Sequence, residues 1–129
     1  MCGIVGYIGD EQAAPILLNG LSKLEYRGYD SAGIAVYNGT EIKMDKVTGR
    51  LQRLKDLTKE GSTLPGTVGI GHTRWATHGS PSDTNAHPHF NKDRSIIVVH
   101  NGIIENYSKL KQRLIGNCLL YTSDAADEL

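Results

Sequence analysis

The dipeptide Asn38-Gly39 constrains the fold of this chain more than any other feature. It separates two runs rich in strand-forming residues, 31–37 and 41–47. Asn-Gly between such runs is the strongest short-range hairpin signal, so at least one antiparallel pair is fixed. Three more short apolar runs, 3–8, 67–73 and 95–100, read as strands, the last of them buried. Between them lie helical patterns. Asp10 and Glu11 open one, with Pro15 tolerable in its first turn, Leu17, Leu21 and Leu24 on the buried face, and Gly28 as its stop. Residues 50–60 carry Leu51, Leu54 and Leu57 among charges and read as a surface helix ended by Gly61. Asn106 can cap a third helix with apolar Tyr107, Leu110 and Leu114. Strands before, between and after helices, one pair clearly antiparallel, predict a layered α+β fold rather than a parallel α/β sheet.

Composition excludes several classes of function. Lys plus Arg is 14 and Asp plus Glu is 14 in 129 residues, so the net charge is zero. A nucleic-acid binder would show a basic excess. No run approaches the ~20 apolar residues of a membrane span, and residues 1–6 lack the pattern of a signal peptide. The expected compartment is the cytoplasm, where the two cysteines, Cys2 and Cys118, stay reduced.

Cys2 has chemical interest because of its position. Removal of Met1 would leave a free α-amine beside the thiol of the same residue. A thiol of pKa ≈ 8.5 is only about 3% thiolate at pH 7, and a neighbouring amine can take its proton. The bland alternative is a small hydrophobe at the start of a strand. Residues 72–79 form an irregular segment after a strand, where binding groups often sit. There Arg74 can pair with a carboxylate and Trp75 can cover a small pocket; a surface arginine beside a packed tryptophan is the alternative. Asn101-Gly102 follows another strand and can supply a side-chain amide and a backbone N–H to an oxyanion, or simply form a turn. Five histidines, His72, His78, His87, His89 and His100, lack the spacing of a zinc site, so no metal is expected, and no cofactor is called for.

Together these residues resemble one family. Met1-Cys2-Gly3-Ile4-Val5-Gly6 is similar to the opening of the class II, N-terminal-nucleophile glutamine amidotransferases. Residues 24–33 (Leu-Glu-Tyr-Arg-Gly-Tyr-Asp-Ser-Ala-Gly), 71–79 (Gly-His-Thr-Arg-Trp-Ala-Thr-His-Gly) and 85–89 (Asn-Ala-His-Pro-His) resemble the isomerising branch that aminates fructose 6-phosphate. The phosphoribosylpyrophosphate branch carries Arg-Gly-Gln-Asp at residues 27–30 and lacks the Trp75 run. The resemblance implies a four-layer αββα sandwich of antiparallel sheets, here incomplete. It implies L-glutamine as substrate, with Cys2 attacking the side-chain amide and Asn101 and Gly102 holding the oxyanion. Arg74 would bind the α-carboxylate, Trp75, Thr77 and His78 would shape and close the pocket, and Arg27, His72 and His87 would play support roles. Ammonia would pass to a sugar-phosphate domain absent from this chain, so fructose 6-phosphate enters only through that missing part. Complete family members are expected to be homo-oligomers.

The resemblance runs over residues 1–115. Residues 116–129 do not align with the family's continuation and read as foreign to the domain. They lack the Ser-x-Thr-Asp-Thr-Glu motif whose aspartate binds the substrate amine, and the resemblance carries that role onto neither Asp124 nor Asp127. Two other readings follow. A fragment with unpaired sheet edges would be inactive and self-associate, and the phosphoribosylpyrophosphate branch is the more remote enzyme.

Overall fold

The computed structural model describes residues 3–24, 31–74, 86–101 and 105–116. Four antiparallel strands form the main sheet in the order β1-β4-β2-β3: β1 (Gly3–Ile8), β2 (Ser31–Tyr37), β3 (Ile42–Thr48) and β4 (Val68–Arg74). The hairpin signal at Asn38-Gly39 is realised in a particular form. Asn38 N–H donates to the Glu41 carbonyl (3.1 Å), and only Gly39, of the two central residues, has positive φ (97°). That is the pattern of a II′ turn, which requires glycine at its first central position. The Asn38 side chain accepts from the Thr40 and Glu41 N–H groups, both at 2.9 Å. Strand β4 slots between β1 and β2, so the sheet joins residues distant in sequence.

One face of the sheet is packed. Helix α1 (Ala13–Ser22) and helix α2 (Leu51–Leu57) lie on it, and Leu17, Leu18, Leu21, Leu51 and Leu54 close a core with Ile34, Val36 and Val47. Burial of such side chains contributes about 1.5–3 kcal/mol each. Helix α1 starts two residues later than its acidic pair suggests. Gln12 is extended (ψ 124°), its side chain accepts from Gly66 N–H (3.0 Å), and Ala13 N–H donates to the Gly66 carbonyl (2.8 Å). The loop before β4 therefore sets the start of the helix. Regular helix ends at Ser22, and the expected stop at Gly28 lies outside the described residues. Helix α2 also ends early, at Leu57, because Lys59, Glu60 and Gly61 take positive φ.

The opposite face is covered only in part, by residues 86–101. These form a two-stranded antiparallel ribbon, β5 (His89–Phe90) with β6 (Ile97–Val98). The strand expected over 95–100 is therefore much shorter and not buried: Ile96 is 65% exposed. Pro88, which has no N–H to give a ladder, bounds its partner strand. Helix α3 (Tyr107–Gly116) follows Asn106, whose carbonyl accepts its first bond from Leu110, but none of its residues is buried. Among the described residues no helix is long and apolar enough to cross a membrane.

Candidate active site

The candidate site lies on the partly covered face, at the end of the sheet where β4 finishes. Sheet register places Ile4, His72, Gly33 and Lys46 in one row across β1, β4, β2 and β3. Two residues further toward the end of β4, on the same face, Ser31 pairs with Arg74 and with Thr48. Gly3 faces Thr73, so the strand that follows directly on Cys2 is the immediate neighbour of the strand carrying Arg74.

Gly33 explains how a loop reaches this surface. A Cβ there would run into the His87 carbonyl oxygen and meet Lys46 Cβ at 2.8 Å and Pro88 Cδ at 2.9 Å. The bare backbone lets the 86–88 segment cross β2 in contact. Lys46, next to Gly33 in the row, holds the segment by donating from Nζ to the carbonyls of Ala86 (2.8 Å) and Pro88 (3.2 Å). Substituting Gly33→Ala is expected to destabilise the fold by about 1–3 kcal/mol, the cost of overpacking a closed contact. A chemical-denaturation curve measures it; an unchanged midpoint would mean that the segment does not depend on this contact.

The crossing segment brings three imidazoles together. His87 stacks on His72 with ring centroids 4.1 Å apart and planes at 23°, and His89 packs on His87 at 4.3 Å. All three are buried, as is Arg74. Burial is the main reason their basicity falls: His72 to about 4, His87 to about 2 and His89 to about 3. The charge of Arg74 lowers all three further, and that of Lys46 lowers His87 and His89. The stack is therefore uncharged at neutral pH, and the positive charge beside it is that of Arg74 and Lys46.

Asn101 joins from the segment that follows β6. Its Oδ1 lies 2.8 Å from His72 Nε2. Of the candidates named from sequence, the fold thus gathers Arg74, His72, His87 and Asn101. Cys2, Arg27, Trp75, Thr77, His78 and Gly102 lie outside the described residues. Sequence reasoning assigned no role to His89 or Lys46. The hairpin register places Lys46 opposite Gly33, whereas no local pattern places His89 against His87, which lies outside β5. Among the described residues no cluster of His, Cys, Asp or Glu could hold a metal ion. A hollow of about 670 Å³, lined by Tyr37, Glu41, Lys43, Thr63 and Arg94 among others, sits at the opposite end of the strands and takes no part in this cluster.

Comparisons with known proteins agree with the motifs. No family model matches the chain. The chain is 59% identical over 131 residues to the glutamine–fructose-6-phosphate aminotransferase (isomerising) of Chlorobaculum tepidum, covering 100% of this chain and 21% of that protein. The Caldanaerobacter subterraneus protein of the same name is 59% identical over 129 residues, with the same coverage. The chain thus spans about a fifth of the length of the curated relatives it matches. Among solved structures, a glutamine phosphoribosylpyrophosphate amidotransferase from B. subtilis superposes with TM-score 0.77 at 29% identity, over 97% of this chain and 27% of that one. A structure described as the allosteric regulatory enzyme of purine biosynthesis gives TM-score 0.79 at 28% identity, over 95% and 27%. The fold is therefore a partial α+β domain of the N-terminal-nucleophile amidotransferase type. The sequence resembles the fructose-6-phosphate aminating branch along its whole length.

Proposed function

We propose that this chain, similar from end to end to one segment of the glutamine–fructose-6-phosphate aminotransferases, is the glutamine-hydrolysing part of such an enzyme. One observation carries the reading. The His72–Asn101 contact ties the candidate oxyanion donor to the strand that bears Arg74 and pairs with the strand following Cys2. Carboxylate ligand and candidate oxyanion donor then belong to one end of one sheet, beside the first residue of the strand that follows the nucleophile in sequence.

In this reading the Cys2 thiol gives its proton to its own α-amine, free once Met1 is removed, and the sulfur attacks the glutamine side-chain carbonyl. Asn101 and the Gly102 N–H stabilise the oxyanion. Collapse of the tetrahedral intermediate expels ammonia, with the amine returning its proton, and leaves a thioester that water hydrolyses to glutamate. Arg74 holds the α-carboxylate, while Trp75, Thr77 and His78 shape the pocket. Residues 1–115 carry the motifs of this glutaminase portion. Ammonia would be used on fructose 6-phosphate by domains outside this chain, in a cytoplasmic and oligomeric enzyme that needs no metal or cofactor.

Glutamate release from glutamine, in a complete relative carrying this segment, tests the reading with Cys2→Ala as control. Hydrolysis that survives Cys2→Ala would overturn it. The same protein tests Arg74. Arg74→Ala is expected to raise KM strongly and change kcat less, because a charge-assisted carboxylate contact is worth on the order of 2–5 kcal/mol when one partner is removed. An unchanged KM would remove Arg74 from the site.

A further inference from the structure

We infer that His72 is the positioning residue for Asn101: its Nε2–H, donated to Asn101 Oδ1, sets the rotation of the amide and turns Nδ2 away from β4. The second half of this inference, that Nδ2 is thereby aimed as the oxyanion donor, rests on the glutaminase reading above.

An amide oxygen can only accept, so at 2.8 Å the imidazole nitrogen must be the donor. That fixes the Nε2–H tautomer of a neutral ring. The other nitrogen agrees: His72 Nδ1 is buried with no hydrogen-bond partner. A bare lone pair is tolerated there far better than an orphaned N–H, which the other tautomer would create. The ring is also prevented from turning. It is fully buried on β4, and His87 covers its face at 4.1 Å. His87 in turn is held by the grip of Lys46 on the carbonyls of its two neighbours and by the gap at Gly33. Asn101 itself is exposed and lies three residues past β6, outside the ladder of the two-stranded ribbon. The order of the donor is imported from the buried imidazole. Isolated, an asparagine amide has two orientations of similar energy that exchange donor for acceptor. A hydrogen bond from a locked donor favours one of them.

Two measurements test this, one independent of catalysis. Nitrogen-15 NMR of the histidine rings in the 129-residue chain should show His72 protonated at Nε2 and bare at Nδ1; protonation at Nδ1 would overturn the inference. In a complete relative carrying this segment, His72→Leu should lower kcat about 10- to 100-fold, the scale expected for a misplaced catalytic group. KM should change by less than about twofold. His72→Gln, whose amide nitrogen can still donate to Oδ1, should recover most of the loss. A His72→Leu protein with normal kcat, or one whose KM rises in place of the fall in kcat, would overturn the inference. Equal loss in the Gln and Leu variants, both with wild-type denaturation midpoints, would also do so. Normal turnover in Asn101→Ala would instead defeat the oxyanion reading, with the tautomer still deciding the hydrogen bond.

Discussion

Asn101→Ala is expected to lower kcat for glutamine hydrolysis by about 10²–10³-fold while leaving KM within a few-fold, as for loss of one oxyanion donor. The split follows from when the contact is used. Ground-state glutamine presents a neutral carbonyl, for which a hydrogen bond exchanged with water is worth little. The tetrahedral intermediate carries full negative charge on the same oxygen, and an oriented donor there acts without reorganisation. Steady-state kinetics in a complete relative carrying this segment separates the two parameters. A normal kcat would return Asn101-Gly102 to the role of a turn. Asn101→Asp adds a sharper comparison. It keeps an oxygen to accept from His72 but replaces the donor with a second acceptor, so it should be at least as slow as the alanine variant. Activity above that of Asn101→Ala would show that the Nδ2 donor is not what catalysis uses.

The parts of this site that were legible in sequence are those set by local rules. Strands 3–8 and 31–37 have the bounds expected of them, because each is a short apolar run ended by Gly or Asn. The hairpin was readable from Asn38-Gly39, although its II′ form depends on how the Asn38 side chain bonds. Arg74 and His72 stood out through a long motif and Asn101 through an Asn-Gly pair just past a strand, none of them through periodicity. What could not be read was the crossing of β2 by residues 86–88. That contact needs the order β1-β4-β2-β3, which puts Gly33 beside His72, and no local pattern encodes a strand inserted between two earlier ones. Lys46 drew no reading from sequence, and His89 was one of five histidines without the spacing of a zinc site. The hairpin puts Lys46 beside Gly33, but its hold on residues 86–88, like the place of His89 against His87, comes only from tertiary contact. The expected strand at 95–100 failed for a related reason: four consecutive apolar residues suggest burial, but their partner strand is two residues long.

The same histidine stack makes the fold sensitive to mild acid, and the expected effect is large. In the unfolded chain each imidazole titrates near its ordinary value of about 6.5. In the fold His72, His87 and His89 are held neutral down to about 4, 2 and 3, first by burial and then by the neighbouring cations. Above pH 6.5 both states carry neutral rings, and these groups add no pH dependence. Below it the unfolded chain takes up protons that the folded chain refuses, so stability must fall with pH, by up to about 1.4 kcal/mol per unit for each histidine. At pH 5 one such group costs about 2 kcal/mol and three together up to about 6, a large share of the 5–15 kcal/mol that typically holds a domain. Urea midpoints of the 129-residue chain at pH 7.5, 6.5, 5.5 and 5.0 measure the slope. Little change is expected between the first two, and a steep fall after them. Replacing the outermost ring, His89→Phe, removes one proton from the balance and should reduce the slope by about a third. A flat profile from pH 7.5 to 5.0 would mean that the three rings accept protons in the folded state and that the stack is not closed to water.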